Sequence, residues 1–461
     1  MSEARSTMPS AGPPREGTMP SAVERVLDNG LRVVAFEQRN LPLIAAQLVV
    51  RGGGAATEHE HEAGLAALTA ALLTQGTTAH DATEVAAAAD ALGARVEASS
   101  GYDASLASAS ATTPAFPQAF ALLDEIVRRP AFAQREVDRV RTKSISDLTL
   151  TYANPSALAR LVAQRVAYGG APYGHPVAGT AATLAALERE RVVWFHQRAY
   201  RPDGAILILG GDLRVDDAFA LAERELGDWR APDVPLESMP GSTIPPPRAQ
   251  VVVVDKPDAG RTAIVTGRIA IARASDEYDA GVVATSVLSG YSGRLNQEIR
   301  VKRGLSYGAG ASLGARRMPG LFSAMTLVDH TRAAEATGVM LAAIRSLVDA
   351  PASDEDLLSR KATVTGGFFR SVETVDGVTS ALAEHVLYEV PVEELQVFAR
   401  NVEAVDAAAV RAFARRRLVD DELIVLVGDA DKFVGELDPA FGPVRVIPFP
   451  ELDLGSPTLG A

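Results

Sequence analysis

The chain runs through one order of segments twice, and that duplication restricts the folds open to it more than any other feature. In the first half, the turn signal Asp28-Asn29-Gly30 precedes a strand-like run from Leu31 to Phe36. A second apolar run, Leu43 to Arg51, leads into Gly52-Gly53-Gly54. The second half begins likewise, with Val251 to Val254, then Asp258-Ala259-Gly260, then Thr262 to Ala272. Helical periodicity from Phe116 to Arg129 stops at Pro130, ahead of a helix from Gln134. Ala333 to Val348 repeats this near Pro351, ahead of a helix from Ser353. Each half closes on a helix and an apolar strand ending in Gly-Asp: Phe195 leads through Ala205–Leu209 to Gly211-Asp212, and Phe413 through Leu423–Val427 to Gly428-Asp429. The offset of about 220 residues is too long for a solenoid repeat and fits a duplicated domain.

At 461 residues the chain exceeds what one hydrophobic core organises. Strands in runs followed by long helices predict an α+β fold: two duplicated α/β sandwich domains, each a mostly antiparallel sheet with helices on one face. The expected boundaries are a disordered tail over 1–22, a first domain over 23–230, a linker over 231–248, a second domain over 249–440 and a C-terminal tail over 441–461. The linker is assigned on its Pro, Ser and Gly content.

Composition excludes several classes of function. A net charge of −13 argues against nucleic acid or an anionic membrane surface as partner. The absence of cysteine excludes disulfides, Fe–S clusters and thiolate zinc sites. No window reaches eighteen uninterrupted apolar residues, and the N-terminus has no apolar signal-peptide core, so a cytoplasmic location is expected. The glycines at 52–54, 169–170 and 210–211 fit neither phosphate-binding motif, and no G-x-S-x-G elbow is present. Glu58-His59-Glu60-His61-Glu62 is rich in metal-ligand types, but its imidazoles stand two apart in a loop without a defined third ligand.

Five landmarks in one order resemble a known family. They are Leu27-Asp28-Asn29-Gly30-Leu31-Arg32-Val33, the helix from Gly64 to Thr77, Pro172-Tyr173-Gly174-His175-Pro176 with Gly179-Thr180, the segment Phe195 to Asp212, and Arg300 to Tyr307. The family is that of the pitrilysin-type inverzincin peptidases, in the short form similar to mitochondrial processing peptidase. The resemblance implies that the two domains make half of a clamshell closing around unfolded peptide. Active members carry H-x-x-E-H on the first helix; here that frame holds Ala67, Ala70 and Ala71, which have neither a lone pair for zinc nor a proton acceptor. The third ligand expected from the family falls near Leu148, beside Asp147, and an isolated Asp147 or Glu136 holds no zinc. Leu65, Leu68 and Leu72 on the same helix are expected to pack.

In Arg300-Val301-Lys302-Arg303-Gly304-Leu305-Ser306-Tyr307, the Arg and Tyr are similar to a pair that family members bring to the scissile carbonyl. The resemblance therefore implies a non-catalytic subunit of a heterodimeric zinc peptidase, with Arg300 and Tyr307 as the residues serving catalysis. No cofactor is expected in this chain; zinc is expected in a paralogous H-x-x-E-H partner, with unfolded peptide as substrate. The alternative is a peptide-binding or structural protein with no part in catalysis, like the degenerate members of respiratory-complex cores. His175 is expected to be structural.

Overall fold

The computed structural model describes residues 19–235, 244–246 and 250–460. Most of the expected N-terminal tail and parts of the expected linker lie outside the described residues. The first domain comprises β1 (Ala22–Val26), β2 (Arg32–Glu37), β3 (Leu43–Val50), α1 (Leu65–Leu72), α2 (Ala82–Ala91), β4 (Arg95–Ser100), β5 (Ser105–Thr112), α3 (Phe116–Arg128), α4 (Gln134–Ala153), α5 (Pro155–Tyr168), α6 (Ala181–Ala186), α7 (Arg189–Ala199), β6 (Ala205–Gly211) and α8 (Val215–Leu226). The second holds β7 (Gln250–Asp255), β8 (Thr262–Ile269), α9 (Tyr278–Leu288), α10 (Arg294–Asn296), β9 (Ala309–Leu313), β10 (Leu321–Val328) and α11 (Ala333–Asp349). It continues with α12 (Asp354–Ser371), α13 (Val375–Leu387), α14 (Glu394–Ala404), α15 (Ala407–Arg417), β11 (Leu423–Gly428), α16 (Val434–Phe441) and β12 (Val444–Pro448).

The duplication appears as two six-stranded sheets of matching order, β1-β2-β6-β3-β5-β4 and β12-β7-β11-β8-β10-β9. In both, the strand that closes the Gly-Asp segment lies parallel to one neighbour and antiparallel to the other: β6 to β2 and β3, β11 to β7 and β8. The outermost strands differ. β1 folds back on β2 as an antiparallel hairpin, whereas β12 comes from the far end of the chain and lies parallel to β7. The segment read as a C-terminal tail from 441 therefore completes the second sheet instead. β1 begins at Ala22, the last residue of the expected tail, and its mostly exposed residues carry no apolar alternation that would mark a strand. Nor do the halves end at Gly-Asp: α8 follows β6, and α16 precedes β12.

Helices on one face describe each sheet only in part, since both faces are covered. Successive strand residues point to opposite faces, and the central strands divide their apolar residues accordingly. Val33, Ala35, Leu207 and Leu209 join the first domain's own helices; Val34, Phe36, Ile206 and Ile208 face the other way. That second face is covered by α13 of the second domain through Val375, Val378, Leu382 and Val386. The second sheet repeats the arrangement. Val253 and Leu426 face its own helices, while Val252, Val254, Val425 and Val427 meet Leu158, Ala159, Val162 and Ala163 of α5 from the first domain. The domains thus exchange one helix each, which explains why Ala205–Leu209 and Leu423–Val427 are apolar without alternation.

Two buried histidines report on this core. His196 on α7 donates from Nε2 to the Val127 carbonyl at 2.7 Å. His385 on α13 hydrogen-bonds the Ala381 carbonyl through Nδ1 at 3.0 Å and accepts from Arg273 at 3.1 Å. Burial pushes both down to about 4, with the Arg273 charge adding to the effect at His385. Because each folded value lies below the unfolded one, their contribution to stability is complete above the unfolded pKa and is lost as pH falls through about 6.5 toward 4. His80, exposed beside Glu125, is shifted upward by its hydrogen bond to that carboxylate.

Two outcomes follow from this packing. Leu158→Ala should cost about 2–5 kcal/mol, and chemical denaturation followed by both tryptophan fluorescence and far-UV circular dichroism should still show one transition. Separate transitions for the two domains would contradict the exchanged core. At pH 5.5, imidazole NMR should find His196 and His385 neutral and His80 protonated.

Candidate functional site

Helix α1 starts at Gly64, whose φ of 98° lies in the left-handed region that glycine tolerates. Leu65, Leu68 and Leu72 point into the first domain's core as expected. Of the three motif positions, Ala70 is fully buried, Ala67 is half-buried and Ala71 is exposed. The places around this helix where a third ligand was sought are otherwise engaged. Leu148 is buried on α4, Asp147 pairs with Lys143 at 2.6 Å, and Glu136 pairs with Arg139 at 2.7 Å. The α1 frame does not fit a zinc ion, and no group of three or more His, Asp or Glu side chains able to hold a metal occurs among the described residues.

The ligand-rich loop before α1 has a structural explanation. Glu58 is buried and accepts hydrogen bonds from the backbone N–H groups of Gly64, at 3.1 Å, and Ala66, so it satisfies the free donors at the start of the helix. Burial pushes its carboxyl up, opposed by these bonds and by His175. Glu60 pairs with the buried Arg165, which also holds the Leu454 carbonyl at 2.6 Å, and Glu62 accepts from Arg191 at 2.7 Å. The intervening His59 and His61 point outward and stack on each other at 5.5 Å. Alternation thus turns the acids inward to partners and leaves the imidazoles outside.

His175 lies in the turn expected to be structural, and its Nε2 donates to the Ala55 carbonyl at 3.0 Å. Next to it, Tyr173 donates to Asp103 and accepts from the Met318 N–H at 3.2 Å, a bond from one domain to the other. Arg316 of the second domain stacks over Tyr102 at 4.6 Å and Tyr173 at 5.6 Å.

Arg300 and Tyr307 sit on a fixed loop of the second domain. After α10 the chain widens into a π-helical turn, Gln297–Val301, and then reverses at Gly304 with φ 60°. Such widened turns are rare and frequent at functional sites. The buried Leu305 is bonded back to the Ile299 carbonyl at 2.8 Å, and the Ser306 hydroxyl donates to the Leu327 carbonyl at 2.7 Å. These anchors leave both Arg300 and Tyr307 exposed, Tyr307 to 79%. Arg300 lies 5.3 Å from the ring centroid of Tyr291, and Arg261 lies 5.2 Å from that of Tyr307. Among the described residues neither the Arg300 guanidinium nor the Tyr307 hydroxyl has a hydrogen bond or ion pair.

Lys302 and Arg303 both pair with Glu298, which offsets one of their two charges. The structure does not join Arg300 and Tyr307 to each other or to Ala67, Ala70 and Ala71, which lie in the other domain. Tyr291 and Arg261 were not singled out in the sequence, because their contacts arise only when separate segments meet in the fold.

The chain and its fold have known counterparts. The profile described as "Insulinase (Peptidase family M16)" matches residues 32–181, and that described as "Peptidase M16 inactive domain" matches 186–364. An uncharacterized zinc protease of Mycobacterium leprae is 24% identical over 429 residues, covering 87% of this chain and 94% of that protein. A non-peptidase homolog of Helicobacter pylori is 22% identical over 184 residues, 40% of this chain and 42% of that protein. Among solved structures, a peptidase M16 inactive domain from Pseudomonas fluorescens superposes with a TM-score of 0.83 at 23% identity, covering 88% of this chain and 98% of that one. A protease from Helicobacter pylori gives 0.83 at 18% identity, covering 89% and 100%. With profile matches that span both domains, this chain belongs to the M16 peptidase family, and its α1 frame carries alanine at positions 67, 70 and 71.

Proposed function

We propose that this chain is the substrate-binding subunit of a heterodimeric zinc peptidase, and that it lends Arg300 and Tyr307 to the active site of a paralogous partner. The observation that carries the reading is the loop just described: two exposed donors, held by buried anchors, with no hydrogen-bonding partner of their own. A guanidinium and a phenol in that state suit a negative oxygen that appears only during reaction.

The partner, bearing H-x-x-E-H, supplies zinc and the general base. This chain's part begins once peptide lies between the two subunits. As the scissile carbonyl becomes tetrahedral, its oxygen gains charge, and N–H donors of Arg300 and the O–H of Tyr307 hydrogen-bond to that oxygen. Their rigid mounting lowers the barrier, because donors already in place undergo little reorganisation at the moment of reaction. Neither group gives up its proton. Tyr291 under Arg300 and Arg261 over Tyr307 limit the rotamers of the two side chains through cation–π contact.

The test is cleavage of a quenched fluorescent peptide library by this chain, by the H-x-x-E-H paralogue, and by their mixture with zinc. Activity is expected in the mixture alone. Arg300→Ala and Tyr307→Phe should each lower its kcat by about 10²–10³-fold while leaving the complex assembled on size exclusion and its melting temperature unchanged. Full activity in both variants would remove the role assigned to them. Activity of the paralogue alone, unchanged on mixing, would favour a purely structural or peptide-binding role.

A further inference from the structure

A groove begins beside Tyr307 and runs along the face of the second sheet on which α5 lies. Its first hollow, about 370 Å³, is lined by Gly308 to Ser312 of the loop and β9, by Ser323 and Met325 of β10, and by Ser156 and Arg160 of α5. A second hollow, about 270 Å³, continues from it and shares Arg160, Ser312 and Ser323. It ends against Tyr102 of the first domain and Arg316. Gly308, Gly310, Ser312 and Ser323 keep the floor low, leaving room for an extended chain.

The charge of this groove opposes that of the molecule. The protein carries 58 acidic and 45 basic side chains, yet neither hollow is lined by an aspartate or glutamate, and Arg160 lines both. Arg160 is exposed and makes no hydrogen bond, ion pair or ring contact among the described residues. Arg316 is held over Tyr102 and Tyr173 at the far end, where its charge is attracted by the largely buried Asp103, so Arg160 is the cation without a counterion.

The duplicated architecture supplies an internal comparison. A hollow of about 590 Å³ occupies the equivalent place in the first domain, between β4, β5 and α13. There Arg95 is paired with Glu97 at 2.7 Å, and Asp376 of α13 lies in the same lining. One groove is compensated within itself; the other presents a cation with no counterion.

We infer that Arg160 is a specificity residue that binds a carboxylate of an extended peptide lying in the second-domain groove. The inference builds on the substrate-binding role proposed above. A guanidinium takes a carboxylate in a two-pronged, charge-assisted arrangement, which an amide of the same shape cannot reproduce. The ligand carboxylate belongs either to an acidic side chain or to the peptide C-terminus. A substrate so held has its acidic group at a fixed separation from the bond presented to Arg300 and Tyr307.

The test uses the full chain without any partner, so it is independent of whether the split active site is correct. Four rhodamine-labelled twelve-residue peptides differ only in a central Glu or Gln and a C-terminal acid or amide, and binding is read by fluorescence anisotropy. The wild type should favour one carboxylate-bearing form by about tenfold at low salt, with the preference shrinking in salt. The Glu/Gln pair and the acid/amide pair show which source supplies the carboxylate. Arg160→Ala should reduce the preference to less than twofold, Arg160→Glu should reverse it, and Arg95→Ala should leave it intact. Equal binding of all four peptides by the wild type, no binding up to millimolar peptide, or an undiminished preference in Arg160→Ala would each overturn the inference. A carboxylate preference in this assay alongside full activity of the Arg300 and Tyr307 variants would retain the groove and discard the split site.

Discussion

Everything in this molecule depends on the exchange of α5 and α13 between the two domains. A sheet of alternating residues has two faces, and here both faces of both sheets are apolar, so neither domain covers itself. Val34, Phe36, Ile206 and Ile208 would lie open to water without α13, and Val252, Val254 and Val425 would do so without α5. At about 25 cal/mol per Å² of apolar surface, baring such a face is a large loss beside the usual net stability of a domain. The domains therefore fold as one body. The Tyr173–Met318 hydrogen bond and the Arg316 stack on Tyr102 and Tyr173 add direction to an interface whose strength is hydrophobic.

That shared core also fixes the surface to which a function is proposed. The π-helical turn and the Gly304 reversal produce a loop whose inner residues, Leu305 and Ser306, are tied to the core while Arg300 and Tyr307 remain in solvent. The exchanged helix α5 in turn walls the groove that starts next to Tyr307, and it carries Arg160 there. Domain fusion and the proposed recognition of peptide thus share one element. In the first domain, α1 carries alanines at positions 67, 70 and 71, and the acids preceding it cap the helix or pair with arginines.

Much of the fold was legible because the duplication is written in segment order. The helices near Phe116, Gln134 and Ala333 and the closing apolar strands were found from periodicity and from Pro and Gly stops. What escaped has identifiable causes. β1 pairs through its backbone while exposing its side chains, so no alternation marks it, and β12 lies in a stretch that resembles a tail until β7 is there to receive it. Uninterrupted apolar runs announced strands buried on both faces but not which helices would cover them. At the site, the motif alanines and the Arg–Tyr segment were readable from resemblance alone. The inward turn of Glu58, Glu60 and Glu62 was not, because their partners His175, Arg165 and Arg191 lie far along the chain. Arg160 was invisible for the same reason: an arginine without a counterion is recognisable only when its neighbours are known.

The central claim is spatial: the loop carrying Arg300 and Tyr307 faces the zinc-motif helix of a partner. The direct measurement is photo-crosslinking from a benzophenone amino acid placed at position 307 in the complex with the H-x-x-E-H paralogue, followed by mass spectrometry of the joined peptides. The account predicts a cross-link to the partner's H-x-x-E-H helix or the strand beside it, diminished when a peptide substrate fills the chamber. An assembled complex in which position 307 cross-links only to the partner's outer surface, or to a second copy of this chain, would contradict it.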